Sequence, residues 1–333
     1  MLYAIFHSRS LGPFLVFFSE KGDRRGTICT ILVHRKTTRI VRIKTLYADT
    51  HVWNQLCDQE IAPRLLWETL GRTNVVPVLG FQDVYELAKT FRSGNKNERG
   101  QTLFKYLRGH LGQALPIVED TGALLRNEAR KITGEKPGKY FLEGDGYAEV
   151  IKDVDAFCVG DVKPAVTEFI EKRTAKLNSN RLGMKEHLAA RPSLVATLKA
   201  VTERALPDFL NSQTRGPVAT RSLQADLVHV FPQNTFEQME GPAKRLIETG
   251  FGKVSRALIR AHIYLSWRCA ERGSLRDDVY DDVFHVVNAA HCDYFATTED
   301  RQAEYARLII PGVSVIFADR TASILDRLVA GIR

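Results

Sequence analysis

The sequence predicts an α/β protein in which helices cover a central parallel sheet, and three observations carry that expectation. Short apolar runs of strand length, "TLYAD", "NVVPVLG", "DYFAT" and "VSVIFA", are each followed by a stretch of helical periodicity. This strand-then-helix order occurs toward both ends of the chain, which is the pattern of βα units in a parallel sheet. At 333 residues and 44% hydrophobic content, the chain is long enough to bury a core between such layers.

Taken in order, residues 28–43, "ICTILVHRKTTRIVRI", place β-branched and apolar residues on both sides of "HRKTT" and predict a hairpin within a basic N-terminal extension, residues 1–43. "TLYAD" follows as a strand ending in Asp49. The next segment brings Leu56, Leu65, Leu66 and Leu70 to helical spacing. "NVVPVLG" is a second strand, and in "FQDVYELAKTFR" Val84, Leu87, Ala88 and Phe91 share one helical face. Residues 93–252 read as a long helical insertion with no strand series, including "GQTLFKYLRGHLG", "TGALLRNEARKI", "SLVATLKAVTERAL" and "GPAKRLIETG". The α/β pattern resumes over 253–333. A helix starts in "DDVYDD", where carboxylates in the first turns suit the helix dipole, and "DYFAT", a helix, "VSVIFA" and a closing helix complete it.

Composition narrows the function classes. No run of about 18 apolar residues occurs, so no membrane span is expected, and "LGPFLVFF" lacks the flanks of an export signal. The five cysteines are scattered without C-x-x-C spacing, which argues against disulfides and zinc and for a reducing cytoplasm. The basic balance is local: nine Lys and Arg against two acids in residues 1–48 give that stretch +7 of the chain's net +8. Such an arm suits phosphate contact, and equally a strand edge kept soluble by its charges.

Against that balance, Asp277 to Asp300 holds seven acids and no Lys or Arg. In an open parallel sheet the loops leaving the carboxyl ends of the strands converge on one crevice, so Asp49 and Asp300, each just past a strand, can meet there. Glu86 and Asp282, near the starts of neighbouring helices, can reach the same place. Carboxylates crowded in this way repel unless a cation neutralises them, and oxygen-only ligands suit Mg²⁺ or Mn²⁺. A water activated by such an ion makes phosphodiester hydrolysis the natural reaction. Bland readings stand beside these: Asp49 as a helix cap, Glu86 as a solvated helix-face acid, Asp277, Asp278 and Asp281 as helix N-terminal charges, Asp293 as a turn acid, and His285 as a residue of the apolar helix face. Tyr47, Trp53 and Trp67 read as core aromatics. Lys89, Arg92, Lys96 and Arg301 are candidate phosphate contacts at the rim.

At these residues the sequence resembles the PIN-domain ribonucleases. Asp49 in "TLYADTHVW" is similar to the family's first acidic motif, Glu86-Leu87 in "DVYELAKTF" to its second, and Asp282 before "VFHVVNAAHCDYFAT" with Thr298-Glu299-Asp300 to its last two. The resemblance covers about residues 44–92 and 274–331, and the helical middle departs from the compact family pattern. It implies a PIN-like α/β/α sandwich interrupted by a helical insertion, with Mg²⁺ or Mn²⁺ held by Asp49, Glu86, Asp282 and Asp300. Thr298 would position a carboxylate or water. The implied activity is an endoribonuclease cutting single-stranded RNA, with an inhibitor protein or a second copy of the chain as compatible partners. A nuclease for DNA or for structured substrates, and a non-catalytic PIN-like binding scaffold, are the alternatives.

Overall fold

The computed structural model describes residues 3–8, 12–17, 30–32, 42–92, 97–162, 164–249, 252–273, 277–319 and 321–333. Near the N-terminus, β1 (Tyr3–Ser8), β2 (Gly12–Phe17) and β3 (Thr30–Leu32) form an antiparallel sheet in that order. The turn expected at "HRKTT" lies outside the described residues.

The main body begins at β4 (Lys44–Ala48). Asp49 ends the strand and caps α1 (Thr50–Asp58), its Oδ1 accepting from the Val52 amide at 2.8 Å. Proline at the first position opens α2 (Pro63–Gly71). β5 (Val75–Gly80) leads into α3 (Phe81–Leu87), where Asp83 Oδ2 accepts from the Gly80 amide at 2.9 Å and closes the first turn. After α4 (Asn97–Leu111) comes β6 (Ile117–Val118), then α5 (Thr121–Thr133), capped by Asp120 and ended by Gly134 at φ +81°. A helical series follows: α6 (Gly144–Cys158), α7 (Pro164–Ala189), α8 (Pro192–Ala200), α9 (Leu206–Gln213), α10 (Pro217–Val230), α11 (Glu240–Glu248) and α12 (Lys253–Arg272). The chain closes with α13 (Asp277–Asn288), β7 (Tyr294–Thr297), α14 (Asp300–Ile309), β8 (Ser314–Phe317) and α15 (Ile324–Ile332).

β4 to β8 make one five-stranded parallel sheet in the order β6-β5-β4-β7-β8. Alternation along the strands divides two cores. Leu46, Ala48, Tyr294 and Ala296 face a layer that includes α1, α2, α4, α6 and α15, whereas Tyr47 and Phe295 face one that includes α5 and α10 to α14. The three-layer α/β arrangement expected from the sequence is therefore present. Residues 93–252, read as helical without a strand series, contribute one short strand: β6 is the edge strand beside β5, and α4 and α5 pack on opposite faces of the sheet. Two residues are too short a run for periodicity to register. The brevity of β6 also suits Pro77, because the β6 ladder begins only at Leu79, beyond the missing N–H. "SLVATLKAVTERAL", expected as one helix, breaks after Ala200. Among the described residues no helix is long and apolar enough to cross a membrane, and Cys57, Cys158, Cys269 and Cys292 are all free thiols.

Candidate metal centre

The strand order reverses between β4 and β7, because the chain builds outward through β5 and β6 and then returns to the other side. A parallel sheet with such a reversal opens a crevice beyond the carboxyl ends of the two strands. Asp49 leaves β4 there, its amide bonded to the Ala296 carbonyl of β7 at 3.1 Å. Thr297 and Glu299 leave β7 at the same end. α3 brings Asp83 and Glu86, and α13 brings Asp282 and His285, each pair three residues apart and so on one helix face.

His285 joins the two helices. Its Nδ1 lies 2.5 Å from Asp83 Oδ1 and its Nε2 2.5 Å from Glu86 Oε2. Burial alone would push the imidazole toward its neutral form, but the two carboxylates overcome this and hold its pKa well above the usual histidine value. His285 is thus an internal cation shared between two acids. Asp83, Glu86 and His285 lie close enough together to hold a metal ion if His285 gave up its proton. A cavity of about 10 Å³ beside Glu86 and His285, also lined by Lys89 and Asp281, is the size of one water or ion.

The neighbouring acids have far less compensation. Asp49 is 1% exposed; one carboxylate oxygen caps α1, and Oδ2 has no hydrogen-bond partner among the described residues. Burial raises its pKa to about 6, opposed by His51 and by the Thr297 hydroxyl. Asp282 is raised further, to about 8, first by burial and then by Glu86, Glu299 and Asp49, with His285 pulling the other way. Glu299 contacts His51 Nε2 at 3.0 Å. Tyr305 sits beneath the group, its buried hydroxyl unpartnered among the described residues and its ionisation suppressed by burial and by Asp282. Five carboxyl groups, of Asp49, Asp83, Glu86, Asp282 and Glu299, thus share a crevice with two histidines.

No family model matches this chain, and neither a curated protein nor a solved structure matches it.

Of the residues anticipated from sequence, Asp49, Glu86 and Asp282 come within electrostatic reach of one another. Asp300 does not join them: it is exposed at the first position of α14, and Glu299, extended at the helix cap with φ −103° and ψ 116°, takes the inward place. Thr298 is buried, but the hydroxyl beside Asp49 is that of Thr297, which also accepts from the Glu299 amide at 3.0 Å and donates to Gln302 Oε1 at 2.5 Å. The expectation for His285 is corrected too, since its ring spans two carboxylates rather than packing on apolar neighbours. Sequence reasoning passed over Asp83 altogether; its position three before Glu86 was the available signal. Asp281 pairs with Lys89 at 3.3 Å, and Asp293 accepts from the Thr45 amide and pairs with Arg42 at the amino end of the strands. Arg301 is exposed; the side chain of Arg92 and all of Lys96 lie outside the described residues.

Proposed function

We propose that the chain is a Mg²⁺- or Mn²⁺-dependent phosphodiesterase, and that its substrate is single-stranded RNA cut internally. The observation that supports this most is the buried, unpartnered Oδ2 of Asp49 at the strand reversal, beside an Asp282 carboxyl raised to about 8 by burial and by its acidic neighbours. Crowding five acids, two of them buried, is costly unless a cation accompanies them, and that cost is retained here at the place where an open α/β sheet binds ligands. The donor set fits a hard divalent ion: Asp49, Glu86, Asp282 and Glu299 would hold it through oxygen, with Asp83 and His285 fixing Glu86 from behind. Such an ion supplies an activated water and neutralises charge on a scissile phosphate.

The residues' own parts follow from their contacts. The Val52 amide orients the Asp49 carboxylate through Oδ1, and the protonated His285 keeps Glu86 ionised. Tyr305 closes the floor with a hydroxyl that remains protonated. The choice of RNA comes from the resemblance of the acidic motifs to PIN-domain ribonucleases, so the sugar is an arm of the test. Labelled single-stranded RNA and its DNA equivalent are incubated with Mn²⁺, Mg²⁺ or EDTA, using wild type, Asp49→Asn and Asp282→Asn. The expected outcome is metal-dependent cutting of RNA, abolished by EDTA and reduced on the order of 10²-fold in each variant. Cutting of DNA alone would replace the substrate. No cutting of either, with no effect of Mn²⁺ on the melting temperature, would leave a binding scaffold.

A further inference from the structure

Among the described residues, a second concavity lies apart from the acidic crevice. A groove of about 1470 Å³ lies between α10, α11, the start of α12 and the connection from α14 to β8. Its walls carry six cationic side chains, Arg215, Arg221, Lys244, Lys253, Arg256 and Arg260, against the three acids Glu237, Glu240 and Glu248. Arg215, Arg221, Lys244 and Lys253 are exposed and make no ion pair with any described residue. Arg260 is buried and fixed, its Nε donating to the Leu308 carbonyl at 2.6 Å and its Nη1 to Asn211 Oδ1 at 2.7 Å. Gly216 precedes α10 at φ +131° with no side-chain cap, so the positive end of that helix opens onto the same groove. The start of α12 adds less, because Glu128 already takes its Val254 and Ser255 amides.

We propose that this groove binds a single-stranded nucleic acid through its phosphates. Four separate unpaired cations on one open wall match a polyanion better than one compact anion, and the volume exceeds that of an ordinary small-molecule pocket. The half-buried ring of Phe236 gives the wall an aromatic face on which a base can stack, and Thr220 and Gln224 lie alongside. The groove borders Ala290, just ahead of β7, and Ile309 to Val313, which enter β8, so it lies toward the amino ends of these strands, away from Asp49 and Glu299. The inference deepens the nuclease reading and rests on it only for the fate of the strand, because binding here needs no metal.

The test is fluorescence anisotropy of a labelled unstructured RNA, and of the same sequence as DNA, in EDTA and across a salt series. Wild type is compared with Asp49→Asn and with the combined Arg215→Ala, Arg221→Ala, Lys244→Ala and Lys253→Ala variant. All four side chains are exposed, so the variant is expected to melt as wild type does. Arg221→Glu alone serves as the second variant should the combined one melt lower. Affinity is expected to fall at least about 10-fold in either variant, with the slope of log K against log salt shallower by about 0.7 for each phosphate no longer neutralised. Asp49→Asn is expected to bind as tightly as wild type. Unchanged binding in the groove variants overturns the proposal, as does displacement of the RNA from wild type but not from the groove variants by a glutamate-rich peptide that itself binds more tightly. Retained binding with no cutting by wild type in Mn²⁺ would remove the nuclease reading and leave the groove standing.

Discussion

Asp282 shows how one crowded carboxyl ties stability to pH. Its carboxyl ionises near 4 in the unfolded chain and near 8 in the fold, so between these values the folded state holds the extra proton and stability falls as pH rises. Asp49 acts in the same direction up to about 6, and His285, raised above its usual value, does so above 6.5. The buried His110, lowered to about 4, and His291, also lowered, act in the opposite direction but only below 6.5. From pH 6.5 to 8 Asp282 and His285 both contribute to the decline. The melting temperature of the metal-free protein is expected to decline over that window, and Asp282→Asn is expected to raise it by a few degrees at pH 8 and flatten the decline. Mn²⁺ should reverse the trend, giving a larger melting shift at pH 8 than at pH 6, because ligands must lose their protons to bind. Gly80 is a second sensitive residue: a Cβ there would stand 2.1 Å from the Tyr47 hydroxyl and 2.6 Å from Asp83 Oδ2. Gly80→Ala is expected to cost about 1–3 kcal/mol, read by urea unfolding, and to weaken the Mn²⁺ response by displacing the acid that holds His285.

At the scale of elements, the site depends on how helices are anchored. The start of α12 is fixed by Glu128 of α5, which is fully buried and accepts from the amides of Val254 at 2.8 Å and Ser255 at 2.9 Å, from the Ser255 hydroxyl at 2.7 Å, and faces His291 Nε2 at 2.9 Å. Those contacts hold its pKa down despite burial. Glu128→Ala would strand two amides and a hydroxyl in the core, and a destabilisation of at least about 3 kcal/mol is expected in chemical denaturation. Because α13 packs on α12, the same variant is expected to lower the affinity for Mn²⁺ without touching the crevice.

For the molecule as a whole, what could be read from the sequence followed the length of each signal. β4, β5, β7 and β8 carry apolar runs of four to six residues followed by helices, and each was visible. β6 has two residues and is defined by its neighbour, so only the assembled sheet reveals it. The crevice was legible to the same extent: acids that follow strands announce themselves, as Asp49 does. Whether residue 299 or 300 turns inward, and whether His285 meets apolar groups or carboxylates, depends on helix rotation and on a partner about 200 positions away in the chain, beyond the reach of local spacing.

The separation of the acidic crevice from the cation-lined groove has a consequence for encounter as well as for grip. Among the described residues, acids gather beyond the carboxyl ends of the strands and the cations of the groove lie toward their amino ends, a local polarity that runs roughly along the sheet. A polyanion drifting toward the protein would be repelled at one pole and drawn to the other, and so would turn the molecule before any atoms touch. Capture would then begin at the end farthest from the acids, and raising the salt concentration would slow it by shortening the range over which that torque acts.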